Sequence, residues 1–350
     1  MERPAAGLER VMTRAAQAKA FIAQAGWQNA TVTPLAGDAS NRRYDRLTRA
    51  NGETSVLMDA PPANNTNVSA FVQIATYLRT LGLSAPRIMH EDSDAGFLLI
   101  EDLGDTLFTH QIADNPALEE LLYETSVDVL THLHQNAPPK LGSYASPVTL
   151  PLAALAFDWY QLGATGTVDN DAKRHFMSML EPLLAQYDTD LTVLIQRDYH
   201  AENLLWLPER NGVARVGLLD FQDAVLGHRS YDLMSILQDA RRDVDPQLET
   251  DMKARFVAQN ALDPQAFDAA YAVFGLQRNM RILGVFSRLC MRDAKSHYVD
   301  FIPRVWGHLM TNLNHPMLEP AAELITASLP EPTCDICATL TSKSGQWAGR

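Results

Sequence analysis

The 350-residue chain is long enough for one large core or two lobes, and its 46% hydrophobic and 20% charged content is ordinary for a soluble globular protein. A net charge of −13 argues against non-specific binding to nucleic acid or to an anionic membrane. The amino end carries no secretory apolar segment, no apolar run is long enough to span a bilayer, and Cys290, Cys334 and Cys337 are too few for a disulfide framework; the cytoplasm is the expected compartment.

Leu8, Val11, Met12, Ala15, Ala18, Phe21 and Ile22 recur at helical spacing over 8–25, and Gly26 is the expected stop. Three short strands are expected at 31–35, 42–47 and 54–58. The turn Gly37-Asp-Ala-Ser40 joins the first two, and Asn51-Gly52 marks the next hairpin. A turn of small residues over a hairpin, Ser40 among them, can cover a nucleotide's phosphates with backbone N–H groups. With one glycine, a plain β-turn explains it equally well by itself. Residues 68–81 predict a helix with Val68, Phe71, Val72, Ala75 and Leu78 inward, followed by strands near 87–90 and 97–101.

From Asp105 onward the pattern is mostly helical, with helices expected over 118–134, 151–162 and 172–187. His132 and His134 fall at the carboxyl end of the first, where the helix dipole favours a cation; they are not read as metal ligands. Asp158, Trp159 and Tyr160 lie near one loop, where an aromatic beside an acid can hold a sugar, although core packing is the simpler use of Trp159. Further helices are expected over 231–240, 246–260, 264–291 and 297–314. Periodicity is lost after Leu329, and Cys334 and Cys337 lie in a polar tail without the second pair that zinc needs.

The stretch richest in chemistry begins at Gln196-Arg-Asp-Tyr-His-Ala-Glu-Asn203 and continues as two short apolar runs either side of Asn211-Gly212. That dipeptide signals a two-residue type I′ hairpin, which needs φ > 0 at both central positions. In the ideal hairpin Arg210 faces Val213 and Asn203 faces Asp220; Pro208 can shift that register. Two oxygen donors side by side suit a hard cation such as Mg²⁺. Asp198, five positions before Asn203, can accept the proton of an attacking hydroxyl. D-x-x-x-x-N with a distal aspartate is the arrangement of kinase-like phosphoryl transfer. Alone, D-x-x-x-x-N arises by chance; loop, hairpin and returning aspartate together outweigh the bland alternative of an Asx-rich turn before an ordinary hairpin.

Gln196 to Asn203 and Gly217-Leu-Leu-Asp-Phe-Gln-Asp223 resemble the catalytic and metal loops of the aminoglycoside-phosphotransferase-like kinases. The run 197–244, with Gln222-Asp-Ala-Val-Leu-Gly-His and Tyr231-Asp-Leu-Met-Ser-Ile-Leu-Gln-Asp-Ala-Arg-Arg, is most similar to the branch that phosphorylates the anomeric hydroxyl of N-acetylmuramate and N-acetylglucosamine in bacterial cell-wall recycling. The resemblance covers 15–315 or so. It implies an α+β, two-lobe protein-kinase-like fold. Residues 1–103 would be an N-lobe with a small antiparallel sheet and helix; 104–350 would be a mainly helical C-lobe with the catalytic and metal loops and the acceptor site. ATP and Mg²⁺ would lie between them, with the adenine at the backbone of Glu101 to Leu103. Asp232 matches the family's aspartate that braces the catalytic loop.

The chain departs from the general kinase pattern at one place. The third strand of such kinases carries a lysine on the α- and β-phosphates, paired with a glutamate on the next helix. Here the strand reads Val56-Leu-Met-Asp59, and 68–81 contains no acidic residue. Losing both together is coherent, since a carboxylate without its lysine would repel the nucleotide. Arg43, or Arg42 on the alternate face, is the expected replacement cation, because arginine grips phosphate bidentately; that both are solvated strand charges is the alternative.

The expected activity is therefore ATP-dependent phosphorylation of a sugar's anomeric hydroxyl, with Asp198 as base or orienting carboxylate and Asn203 and Asp220 as metal ligands. His200 and Asp223 would shape the loop. The partners are a small-molecule sugar, ATP and Mg²⁺, with neither nucleic acid nor membrane. Arg241 with Arg242, or Arg278 with Asn279, could touch a lactyl carboxylate or acetamido group, though surface or intrahelical pairing is the simpler use. A same-chemistry rival is an aminoglycoside or other small-alcohol kinase. A non-catalytic nucleotide-binding pseudokinase is the rival from another class, motivated by the missing lysine and glutamate and opposed by the intact Asp198, Asn203 and Asp220.

Overall fold

The computed structural model describes residues 12–35, 42–62 and 68–347. These form two compact units, one from Met1–Asp105 with Gly217–Gln222, the other from Thr106–Val216 with Asp223–Arg350.

In the first unit, α1 (Arg14–Gln24) starts after Thr13, whose hydroxyl accepts the Ala16 N–H at 3.3 Å, and stops before Gly26 at φ +77°. Leu8, Val11 and the 37–40 turn lie outside the described residues. Strands β1 (Thr31–Pro34), β2 (Arg43–Thr48), β3 (Thr54–Asp59), β4 (Ile88–Asp92) and β5 (Phe97–Glu101) make an antiparallel sheet in the order β1-β2-β3-β5-β4. Strand alternation puts Leu47, Leu57, Phe97 and Leu99 on one face, where Phe21, Ile22 and Trp27 close a core over them. Helix α2 (Val68–Thr80) buries Val68, Phe71, Ile74, Ala75 and Leu78. Val72, expected inward, is only half-buried; Ile74 takes its place because it lies between Phe71 and Leu78 on the same stripe. The segment Gly217–Gln222 is stapled to this unit. Leu218 N–H donates to the Ser84 carbonyl at 2.9 Å, and the Phe221 ring lies 4.9 Å from that of Phe71.

The second unit is mainly helical. It contains α3 (Phe108–Asp114), α4 (Glu119–His134), α5 (Ser146–Ala153), a π-type turn at Ala156–Gln161, α6 (Leu162–Thr165) and α7 (Asn170–Ala185). Short strands follow, β6 (Val193–Ile195), β7 (Leu204–Trp206) and β9 (Val225–Gly227), with β6 pairing β9, while β8 (Val216–Leu218) runs on into the segment Gly217–Gln222 of the first unit. Six helices complete it: α8 (Ser230–Leu237), α9 (Pro246–Gln259), α10 (Pro264–Met291), α11 (Ile302–Leu313), α12 (Glu319–Ser328) and α13 (Cys334–Ser342). The 28-residue α10 is buried along most of its length and packs on α5, α8, α11 and the π-type turn. Two glycines permit that packing: a Cβ on Gly275 would overlap the Asn312 amide, and one on Gly284 would overlap the Leu155 backbone.

Three expectations are corrected here. The single helix over 151–162 is broken, because α5 ends at Ala153 and the chain winds as a π-type turn past Gly284. The tail is helical rather than irregular: Thr333 caps α13, and Leu340 is its one fully buried side chain, too thin a stripe to register as periodicity. His134 is not a dipole-stabilised cation; burial holds it down to about 3, and its ring packs edge-on against Phe256 at 5.8 Å. No described helix is long and apolar enough to cross a membrane.

Candidate active site

The loop between β6 and β7 carries Asp198, His200 and Asn203 in the second unit. It leaves β6 through Arg197, whose φ of +72° is unusual for a side-chain-bearing residue and needs external support. Asp232, in the first turn of α8 and fully buried, supplies it. Its carboxylate accepts the N–H of Gln196 at 2.6 Å and of Arg197 at 2.9 Å. Burial pushes the Asp232 carboxyl up to about 7, while those two donors favour its ionised form. Tyr199 then drops into the core, donating its hydroxyl to the Ser126 carbonyl at 2.9 Å. With Tyr199 anchored inward, Asp198 beside it is left half-buried, and its carboxylate accepts no hydrogen bond from any described residue.

Asn203 turns back onto the loop. Its Nδ2 donates to the Asp198 carbonyl at 2.9 Å and to His200 Nε2 at 3.2 Å, while its backbone N–H meets the His200 carbonyl at 2.8 Å. Both N–H bonds of the amide are thereby engaged, and Oδ1 accepts no hydrogen bond from a described residue. His200 is buried and neutral: burial, then the charges of Arg241 and Arg278, hold it well below the ordinary histidine value. Arg241 also donates to its Nε2, at 3.3 Å. With both neighbours donating, Nε2 is the acceptor and the ring proton sits on Nδ1. Arg241 is held in turn by Glu202 at 2.7 Å.

The expected type I′ hairpin is absent. Asn211 is extended (φ −119°), only Gly212 has positive φ (+54°), and a 3₁₀ turn spans Gly212–Arg215. Leu207 N–H donates to the Arg215 carbonyl at 2.8 Å, one residue away from the ideal register. The physical reason is Pro208, which cannot donate to the ladder and forces a longer loop. Asp220 lies beyond β8 in the segment stapled to the first unit, at φ +54°, a strained conformation that aspartate tolerates better than most residues. Its Oδ1 accepts from Gln222 Nε2 at 2.5 Å. Asp223 is exposed and touches the loop through its carbonyl, which accepts from Arg197 at 3.4 Å.

The remaining predicted residues lie in the first unit, except Ser40, which is outside the described residues. Arg43 opens β2 with its side chain 67% exposed, and its guanidinium donates to Asp45 at 2.9 and 3.1 Å. It shares the sheet face of Asp45 and Leu47, the face that α1 covers. Glu101 ends β5, where its carboxylate accepts from the Arg87 N–H at 3.1 Å and its own N–H donates to the Arg87 carbonyl. Leu103 is half-exposed, and its backbone N–H and C=O meet no partner among the described residues. Sequence reasoning missed Arg46, which grips Asp102 at 2.7 and 3.1 Å and Asp105 at 2.8 Å, tying β2 to the 101–105 segment. Its signal was available, since alternation separates Arg46 from Arg43 and sets it opposite Val56 on β3.

The other sugar-contact candidates are mostly engaged. Arg242 pairs with Glu119 at 2.6 Å; Asn279 donates to Gln238, which is also bound by Asn312; and Asp158 holds Lys173 at 2.7 Å. Tyr160 is buried, its hydroxyl donating to the Pro330 carbonyl.

Residues 31–268 match the sequence profile described as the phosphotransferase enzyme family. The chain is 38% identical to the N-acetylmuramate/N-acetylglucosamine kinase of Caulobacter vibrioides, with 87% of this chain and 94% of that one covered. It is 32% identical to the kinase of the same name from Neisseria meningitidis serogroup B, over 79% of this chain and 84% of that one. Among solved structures, the choline kinase LicA from Streptococcus pneumoniae superposes with a TM-score of 0.57 at 14% identity, covering 84% of this chain and 99% of that one, a likeness of fold alone. The antiparallel sheet, the helical second unit and the profile match agree: the chain belongs to the phosphotransferase enzyme family and has its α+β, protein-kinase-like fold.

Proposed function

We propose that this protein uses ATP to phosphorylate the anomeric hydroxyl of N-acetylmuramate and N-acetylglucosamine, as a cytoplasmic enzyme of cell-wall sugar recycling. The observation that carries the mechanism is the Asp198–Asn203 loop, where one carboxylate accepts no hydrogen bond from a described residue while its neighbours Tyr199, His200 and Asn203 are fixed. In the proposed reaction the sugar O1 attacks the γ-phosphorus, the O1–P bond forms as the bridging β–γ bond breaks, and ADP leaves. The O1 proton passes to Asp198. A hemiacetal hydroxyl is more acidic than an ordinary alcohol, so this demand on the carboxylate is modest. Orientation and charge neutralisation carry most of the rate in a loose transition state.

Asn203 Oδ1 and the Asp220 carboxylate are the proposed Mg²⁺ ligands. Both are hard oxygen donors, and the Asn203 amide is turned by its two N–H bonds so that oxygen is what it offers. The bound ion would neutralise phosphate charge as the transfer proceeds. The backbone of Glu101 to Leu103 is proposed to meet adenine, supported by the unpartnered N–H and C=O of Leu103. Arg43, held by Asp45, enters the phosphate-binding role only by exchanging that carboxylate for a phosphate.

The test is a phosphorus NMR spectrum and a reducing-sugar assay after incubation with ATP, Mg²⁺ and each sugar. An anomeric phosphate with loss of reducing-end reactivity is expected. Retained reactivity would mean that a ring hydroxyl is the acceptor, and ATP binding without transfer to any sugar would mean a pseudokinase.

A further inference from the structure

Arg278 and Arg281 lie one turn apart on α10, the helix that packs against α8 and hence against the brace of the catalytic loop. In so acidic a chain most arginines near the site have a carboxylate. Arg241 has Glu202 and Arg242 has Glu119. Arg278 is buried without one among the described residues; it donates to the Gln238 carbonyl at 3.2 Å and to Ser235 Oγ at 2.9 Å, a neutral cradle that fixes its position. Arg281 has still less. Among the described residues its one side-chain hydrogen bond is from Nη1 to the Tyr231 hydroxyl at 3.3 Å, and no carboxylate pairs with it. A guanidinium cannot escape burial by losing its proton, so a half-buried one with unused donors is an incomplete site for an anion.

The neighbours of Arg281 lead to the reacting centre. Tyr231 immediately precedes Asp232, which holds the Gln196 and Arg197 amides. Its ring meets that of Tyr144 edge-on at 5.5 Å, and the Arg197 guanidinium lies over Tyr144 at 5.2 Å. Arg281, Tyr231, Tyr144 and Arg197 therefore form one aromatic and cationic wall that ends at the residue before Asp198. Burial works against the charges of both Arg278 and Arg281, and Asp198 is among the groups that favour them.

We propose that Arg281, oriented by Tyr231, binds a carboxylate on the acceptor and so sets the preference for an acidic amino sugar over a neutral one. The inference rests on the sugar-kinase reading above. In N-acetylmuramate the lactyl ether springs from C3, two ring carbons from the reacting C1, so its carboxylate falls within a long side chain's reach of the base. An anionic acceptor must approach Asp198 and a polyphosphate, both negative. A cation at its far end offsets that repulsion, whereas N-acetylglucosamine needs no such partner.

The experiment compares kcat/KM for N-acetylmuramate with kcat/KM for N-acetylglucosamine in the wild-type enzyme and in Arg281→Gln. The ratio is expected to fall about tenfold to a hundredfold, the usual effect of losing a charge-assisted contact. Arg281→Lys should recover part of it, because a point charge keeps the attraction without the planar fork. A second arm needs no variant: in the wild-type enzyme, converting the lactyl acid to its primary amide should cost a similar factor. A ratio within about twofold of wild type, or a parallel loss with both sugars, would overturn the assignment of Arg281. Wild-type enzyme that turns over neither sugar would instead remove the sugar-kinase reading, and this inference with it.

Discussion

The Asp232 carboxylate accepts the Arg197 N–H at 2.9 Å and the Gln196 N–H at 2.6 Å, which holds Arg197 at positive φ and sets the direction in which Asp198 leaves the loop. Asn at position 232 would keep one acceptor and turn an NH₂ toward the other amide. Asp232→Asn is expected to lower kcat at least tenfold with little change in the KM for ATP, and to cost about 1–3 kcal/mol of stability through an unpaired buried amide. Steady-state kinetics with urea unfolding would decide it; unchanged kcat would show that Asp232 does not position the loop.

Asp198→Ala removes a carboxylate that accepts no hydrogen bond from a described residue. A loss of about 10²–10⁴-fold in kcat is expected, with the unfolding midpoint nearly unchanged. Asp220→Ala should lose at least as much, and raised Mg²⁺ should restore some of it. Near-normal turnover by either variant removes the proposed mechanism.

Arg46→Ala leaves Asp102, whose side chain is 6% exposed, without its cation. The expected loss is about 1–3 kcal/mol; the exposed Asp105 adds little. Because the 101–105 segment is then freed from β2, KM for ATP should rise several-fold while KM for the sugar moves less. Isothermal titration with ADP provides the check, and equal ADP affinity in both proteins would count against the 101–103 assignment.

Acid should destabilise the fold through its buried imidazoles. Burial holds His134 at about 3, His228 at about 4 and His200 well below the ordinary 6.5. The unfolded chain takes up protons near 6.5 that the folded chain refuses, so this stability is present above 6.5 and is lost as pH falls toward 4. Each buried imidazole adds a slope of up to about 1.4 kcal/mol per pH unit. Asp232 works the other way, because a carboxyl held at about 7 favours the folded chain as pH falls from 7 toward 3.8; Asp239, also raised by burial, has the same sign. With His308, also held at about 4 by burial, the histidines outnumber these two carboxyls. Urea midpoints should fall from pH 7 to pH 5, and His134→Phe, which keeps a ring against Phe256, should flatten the slope. A midpoint that rises over that interval would contradict the account.

Regular elements were legible where burial follows period. The limits of α10 coincide with the predicted 264–291, and β5 with 97–101, because those side chains have one dominant face or none exposed. The loop between β6 and β7 was legible for a different reason: Asp198 and Asn203 belong to a motif whose proposed chemistry needs those residue types, and Asp232 holds the loop's first amides. Legibility failed where two local signals compete or two distant segments negotiate a contact. Asn211-Gly212 carries a strong local turn signal, yet Pro208 removes a ladder donor and a 3₁₀ turn results. Leu155 leaves its helix beside Gly284, 129 positions away, which no window over 151–162 contains.

The amino-acid sequence by itself determined the kinase-like class, the catalytic and metal residues worth testing and the absence of the usual lysine–glutamate pair, because these depend on residue identity and local order. Only the tertiary structure decided which charges are satisfied. Arg43 proves to be tied to Asp45, Arg242 to Glu119 and Arg46 to two aspartates, while Arg281 has no carboxylate among the described residues and bonds Tyr231. The physical reason is that an ion pair is a statement about distance, and residues 123 positions apart, such as Arg242 and Glu119, acquire a distance only when the chain has folded.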